Sequence, residues 1–275
     1  MSEASEGATE RPTAGERART LAYGVADGVL AVPGVPYAPV PAHATDENGR
    51  PLLLLPAGSA AVKALRGEPD LPATLRISDV APIPLADRVR GRAWLHGWVT
   101  EPEGDERRAA AVRLSRLHPR PELLDIGRES ESDAARAWTV LALEVAEVEI
   151  RDGWGAATLE PEEYEAAVPD PFVAIEAGML SHLDECHRGE LVTMLLRLNE
   201  LAAAVSGSGV PGVAAGHDPV VRPLALDRYG MWVRCFSPRP DGADPVDLRV
   251  VFGEPVSDVH GLRRVYRRLF MGVRS

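Results

Sequence analysis

The apolar and polar positions alternate most regularly over residues 88–99, where a two-residue period sets Val89, Gly91, Ala93, Leu95, Gly97 and Val99 on one side. That spacing predicts a strand with a barrel-lining face of small apolar residues. Further strands are expected over 37–45, 51–55, 73–80, 137–150 and 156–159, after an extended opening segment at 29–33. Turn-rich stretches separate them, and Asn48-Gly49 is a good hairpin turn. Helical spacing marks 16–26, with Ala18, Leu21, Ala22 and Val25 on one side, and also 60–66, 105–117 and 161–167. Gly104-Asp105 is the expected cap of the third of these. Six strands with a few connecting helices predict a closed barrel.

Pro169-Asp170-Pro171 then interrupts the chain. Beyond it the pattern predicts one long amphipathic helix built from Met179, Leu180, Leu183, Leu191, Met194, Leu195 and Leu198, then strands that include 223–234 and 247–252, and a final helix over 258–273. Ser206 to Gly216 is expected to be a flexible connection. The expected class is α+β: residues 1–14 a disordered leader, 15–168 a six-stranded barrel, and 169–275 a small α/β domain of helix, three-stranded antiparallel sheet and C-terminal helix.

Composition narrows the function. A net charge of −11 and a pI near 5.2 argue against a nucleic-acid binder, which needs a dominant basic surface. No apolar run approaches the ~18 residues that span a bilayer, so membrane insertion is not expected. The polar, acidic opening of the chain lacks the apolar core of a secretory signal, which implies a cytoplasmic location. Cys186 and Cys235 are the only cysteines and form no Cys-x-x-Cys pair, so neither a disulfide nor a zinc framework is expected.

Two places carry candidate chemistry. On the apolar helix, His182 and His187 are unusual, but at ~100° per residue, positions five apart diverge by about 140°, so both cannot chelate one ion from a continuous helix. On the predicted strand, the face opposite the lining carries Arg88, Arg90, Arg92, Trp94, His96 and Trp98. That row is too aromatic for a solvated surface and too cationic for a core. It suits either a subunit interface, where Trp and Arg are enriched, or a flat ligand with acidic substituents.

The chain also resembles a known family. The strand from Arg92 to Gly97, His118-Pro119, Asp152-Gly153-Trp154-Gly155, the segment His182-Leu183-Asp184-Glu185-Cys186-His187 and the turn Leu226-Asp227-Arg228-Tyr229-Gly230 occur in the order seen in pyridoxamine 5′-phosphate oxidase-like split barrels with a C-terminal domain of unknown function. HugZ-type heme oxygenases and the plant glutamyl-tRNA reductase-binding protein share that layout. There are departures: Ser59-Ala60-Ala61-Val62-Lys63-Ala64-Leu65 lacks the histidine and asparagine of the family's helix, Asp184 and Cys186 replace its amide and acid, and no histidine follows His260 to match its C-terminal heme ligand. The strands also offer no convincing set of basic and hydroxyl groups for a flavin phosphate, which argues against FMN.

The resemblance implies an FMN-binding split-barrel type of fold, a homodimer, and heme or a related tetrapyrrole as the bound partner, with oxidative heme degradation as the associated activity. On that basis His96, His182 or His187 would hold the iron, with His43 behind them; Arg90 or Arg92 would pair the propionates, and Trp94 or Trp98 would line the macrocycle. The same resemblance implies, as alternatives, a non-catalytic regulator of a tetrapyrrole-synthesis enzyme or a flavin- or deazaflavin-dependent oxidoreductase.

Overall fold

A computed structural model of the chain describes residues 11–68, 70–126, 137–206, 220–236 and 244–271. These residues form two compact units, one made of Thr13–Val80 and Val89–Asp170, the other of Ala81–Arg88 and the chain from Pro171 onward. Most of the expected leader, residues 1–10, lies outside the described residues.

The first unit opens with α1 (Ala14–Ala22), set by a reciprocal cap: Glu16 N–H donates to the Thr13 hydroxyl at 3.2 Å, and Thr13 N–H donates to the Glu16 carboxylate at 2.8 Å. Then come β1 (Asp27–Ala31), β2 (Ala38–Val40), β3 (Ala42–Thr45), β4 (Pro51–Pro56), α2 (Ala60–Leu65), β5 (Leu71–Val80), β6 (Val89–Thr100), α3 (Gly104–Leu117), α4 (Glu122–Ile126), β7 (Trp138–Asp152), β8 (Gly155–Leu159) and α5 (Pro161–Ala166). The helix α3 is preceded by Glu103 with no side-chain cap, in place of the expected Gly104-Asp105 signal.

The strand order is β2-β1-β5-β6-β7-β4-β3, with β8 beside β7, and every pairing is antiparallel. The stretch 37–45 is two strands and not the expected one, because Pro41 has no N–H to continue a ladder. β2 pairs with β1 and β3 with β4, so strands adjacent in sequence sit at opposite ends of the sheet. That connection curls the sheet into a nearly closed split barrel. The division at Pro41 and the entry of the opening segment as β1 raise the expected six strands to eight. Leu53, Leu55, Leu75, Leu95, Leu141, Leu143 and Val148 fill the interior, while Ala110, Ala111 and Leu114 of α3 cover Leu54, Val140 and Ala142 from outside. Gly49, at φ +89°, is obligatory in the hairpin between β3 and β4. A Cβ there would lie 1.7 Å from the guanidinium of Arg19, which is buried over the Tyr164 ring, and the Tyr164 hydroxyl donates to the Gly49 carbonyl at 2.8 Å.

The second unit contains α6 (Glu176–Cys186), α7 (Arg188–Ser206), β9 (Val220–Asp227), β10 (Gly230–Phe236), β11 (Val246–Val251) and α8 (Val259–Met271). Its sheet is the meander β11-β10-β9. Phe172, Leu180, Leu183, Leu191, Leu195, Met231, Val233 and Leu262 form its core, joined by Ile83 from the segment between β5 and β6. The single helix expected across the histidines is broken: His187 leaves helical geometry at φ −129°, ψ 24°, separating α6 from α7. Buried Asp184 fixes that break, accepting from Arg188 Nη2 at 2.9 Å and from both Nε and Nη2 of Arg222 on β9. Burial opposes its ionisation, yet the hydrogen bonds from Arg222 and Arg188 prevail and hold its carboxyl below the usual range. The flexible connection expected over 206–216 falls, beyond Ser206, outside the described residues.

Candidate functional site

Five of the six strand-face residues singled out by sequence lie on β6 in the barrel unit; Arg88 precedes the strand and, like the two helical imidazoles, belongs to the other unit. On β6 the alternation holds in part: Gly91, Ala93, Leu95 and Val99 are buried, Arg90, Trp94 and His96 are half-buried, and Arg92 and Trp98 are exposed, but Val89, expected on the lining face, is exposed and Gly97 is only half-buried where the register shifts. Neighbouring strands change the character of that outer face. Arg90 Nη2 donates to Asp79 Oδ1 of β5 at 2.7 Å, so this arginine is already engaged. The register with β7 sets Glu149 beside Trp94, Glu147 beside His96 and Glu144 beside Trp98. His96 Nδ1 is 2.9 Å from the Thr74 hydroxyl, and its Nε2 is 3.8 Å from Glu149. The row is thus flanked by carboxylates, a poor setting for an anionic guest near His96.

The second unit brings His182 and His187 together. Their rings meet edge to face with centroids 5.1 Å apart, because the chain departs from the helix at His187 and the 140° divergence of a continuous helix no longer applies. Both line a cleft of about 630 Å³ with Ile175, Met179, Leu183 and Glu190 on one side and Arg263, Tyr266, Arg267 and Phe270 of α8 on the other. Phe270 stacks on His187 at 6.1 Å and 13°, and Tyr266 stacks on Phe270 at 5.6 Å and 26°. His187 Nδ1 faces the Glu190 carboxylate at 3.4 Å, which leaves Nε2 as its ligating nitrogen. An apolar, aromatic-walled cleft holding two imidazoles and two guanidinium groups can take a flat ligand that binds metal at its centre and carries acids at its rim.

Sequence reading missed Glu190 and the α8 contribution. The signal was present in the spacing of Arg263, Tyr266, Arg267 and Phe270 at i, i+3, i+4 and i+7, which places cations and aromatics along one helical face. Other flagged residues support the fold. His43 is buried and its pKa is lowered to about 4, mainly by desolvation and secondarily by the nearby His118, so it is neutral. His118 Nε2 lies 2.7 Å from the His43 carbonyl oxygen. In the Asp152-Gly153-Trp154-Gly155 turn, Asp152 accepts from Trp154 N–H and from Arg17 Nε, both at 2.8 Å. No described helix is long and apolar enough to cross a membrane.

No protein-family profile and no curated protein matches the chain. Among solved structures it is similar to a heme-binding protein from Mycobacterium smegmatis, at 25% identity and a TM-score of 0.58, over 96% of this chain and 98% of that one. It is also similar to the protein Atu2129, of unknown function, from Agrobacterium tumefaciens strain C58, at 15% identity and a TM-score of 0.42, over 93% and 94% of the two chains. A NimC/NimA family protein from Clostridium acetobutylicum aligns at 18% identity and a TM-score of 0.36, over 52% of this chain and 89% of that one.

Proposed function

We propose that this protein binds heme in the cleft between α6 and α8. The observation that carries the reading is the convergence of His182 and His187 with Arg263, Arg267, Tyr266 and Phe270 around a cavity of about 630 Å³. That volume is within the ~300–1,000 Å³ of ordinary cofactor pockets. His187 is the favoured iron ligand, with the Glu190 carboxylate 3.4 Å from its Nδ1 and His182 edge-on beside it. Arg263 and Arg267 suit the propionates, and Phe270 and Tyr266 offer apolar ring surface to the macrocycle. Similarity over nearly the whole chain to a heme-binding protein supports the same reading. The β6 row fits less well, because Arg90 is held by Asp79 and His96 stands beside Glu147 and Glu149.

Heme, when bound, would supply oxygen and redox chemistry; the protein's part is to hold the iron through one imidazole, neutralise the acids and keep water from the macrocycle faces. Oxidative degradation of that heme is the activity we propose. Hemin titration of the full chain should give a sharp Soret band that is lost in His182→Ala/His187→Ala. Arg263→Ala/Arg267→Ala should weaken affinity by about 1–3 kcal/mol per lost charge-assisted contact, while Arg90→Ala/Arg92→Ala should change it little. An unaltered Soret titration in the folded double-histidine variant would refute the assignment. Ascorbate and oxygen should then bleach the complex and yield a bilin and carbon monoxide; a stable spectrum would limit the function to carrying or sensing heme.

A further inference from the structure

We infer that His96, Glu147 and Glu149 form a binding site for a first-row divalent cation on the outer face of the barrel, separate from the heme cleft. The three residues come from two adjacent strands. His96 on β6 pairs directly with Glu147 on β7, and Glu149, two residues further along β7, projects to the same side of the sheet. One donor atom from each lies within 4.8 Å of the others. His96 Nε2 and Glu149 Oε1 are 3.8 Å apart, too far for a hydrogen bond and close to the ~3.4 Å that separates two ligands on a tetrahedral ion with bonds of about 2.1 Å.

Three features mark it as more than a chance meeting of surface acids. Although the ring is half-exposed, Nε2 itself is shut off from solvent, has no hydrogen-bond partner and lies beside the Glu149 carboxylate. On the opposite side of the ring, Thr74 of β5, the register partner of His96, places its hydroxyl 2.9 Å from Nδ1. When that hydroxyl accepts the Nδ1 proton, the Nε2 lone pair is free to ligate, as in metal-bound histidines whose other ring nitrogen donates to a neighbouring group. The register shifts between His96 and Gly97, leaving Ala146 of β7 without a partner, and only glycine fits at 97, because a Cβ would lie 1.8 Å from the Glu144 carbonyl oxygen. One imidazole and two carboxylates suit zinc, manganese or iron(II), with water completing the coordination shell.

The test uses the heme-free full-length chain titrated with Co²⁺, whose visible bands report coordination, and with Zn²⁺ by calorimetry. One ion should bind per chain, with loss of the cobalt bands in His96→Ala and in Glu147→Gln/Glu149→Gln, and retention in His182→Ala/His187→Ala. Thr74→Val should weaken affinity about 10–100-fold without removing a ligand. Glu147 and Glu149 are exposed, so their glutamine variants should stay folded even if His96→Ala does not. Equal affinity in the Glu147→Gln/Glu149→Gln variant, loss of binding only when the helical histidines are replaced, or no binding at ~0.1 mM ion would overturn the site.

Discussion

Replacing Asp184 by Asn should loosen the C-terminal unit and disturb the cleft proposed for heme while leaving the barrel intact. The Asp184 side chain is 6% exposed, and its partners Arg222 and Arg188 are 18% and 59% exposed. Removing one member of a fully buried pair costs about 3–5 kcal/mol. The open position of Arg188 and the acceptor that asparagine keeps reduce this to about 2–3 kcal/mol, or roughly 30–150-fold in a local opening constant. Hydrogen exchange of the full chain reads the two units separately. Amides of α6, α7 and β9 should lose protection by that factor, amides of β5, β6 and β7 should not, and hemin affinity should fall because Asp184 holds the break that brings His187 to His182. The effect also has a pH signature. The Asp184 carboxyl titrates below its unfolded value, so its contribution is full above about pH 4 and disappears as pH falls through the folded value. Wild type and variant should therefore converge in acid. A uniform loss of protection across both units, or a variant as protected as wild type at pH 7, would refute the reasoning.

Acid should weaken the barrel through His43. Its imidazole stays neutral down to about pH 4 when folded but takes a proton near 6.5 when unfolded, so stability present above pH 6.5 declines by about 3 kcal/mol as pH approaches 4. Urea unfolding of wild type and His43→Leu across that window should show a steeper pH slope for wild type, and parallel slopes would sink the assignment. Gly97→Ala should cost about 1–3 kcal/mol or more, since its Cβ meets the Glu144 backbone and not a yielding side chain. It should also misdirect His96 and weaken Co²⁺ binding; a stable variant with unchanged cobalt spectra would count against the register shift as the device that aims the imidazole.

What the sequence disclosed and what it hid have physical causes. The β6 alternation was legible because a two-residue period is local, and the same holds for the Asn48-Gly49 hairpin and the strongly amphipathic α8. The division at Pro41 had its signal in an imino acid without a donor, but only strand order reveals that the flanking segments pair at opposite ends of one sheet. The break at His187 lacked a proline or a glycine at the break itself; it rests on Asp184 meeting Arg222 from a strand distant in sequence, so helical periodicity ran through it undisturbed. The carboxylates beside His96 were likewise hidden. Glu147 and Glu149 alternate plainly within their own strand, and only the register of β6 against β7 places them at the imidazole.

The junction at Pro41 has one more consequence. Because β2 and β3 are consecutive yet terminate the sheet from its two ends, a single covalent link keeps the two outermost ladders from drifting apart. A circular permutant with its new termini at that proline would release two unpaired strand rims at once, and rims of this kind recruit other chains. Such a permutant should therefore form strand-exchanged multimers or aggregates, whereas opening the chain in the turn between β7 and β8 should leave it soluble.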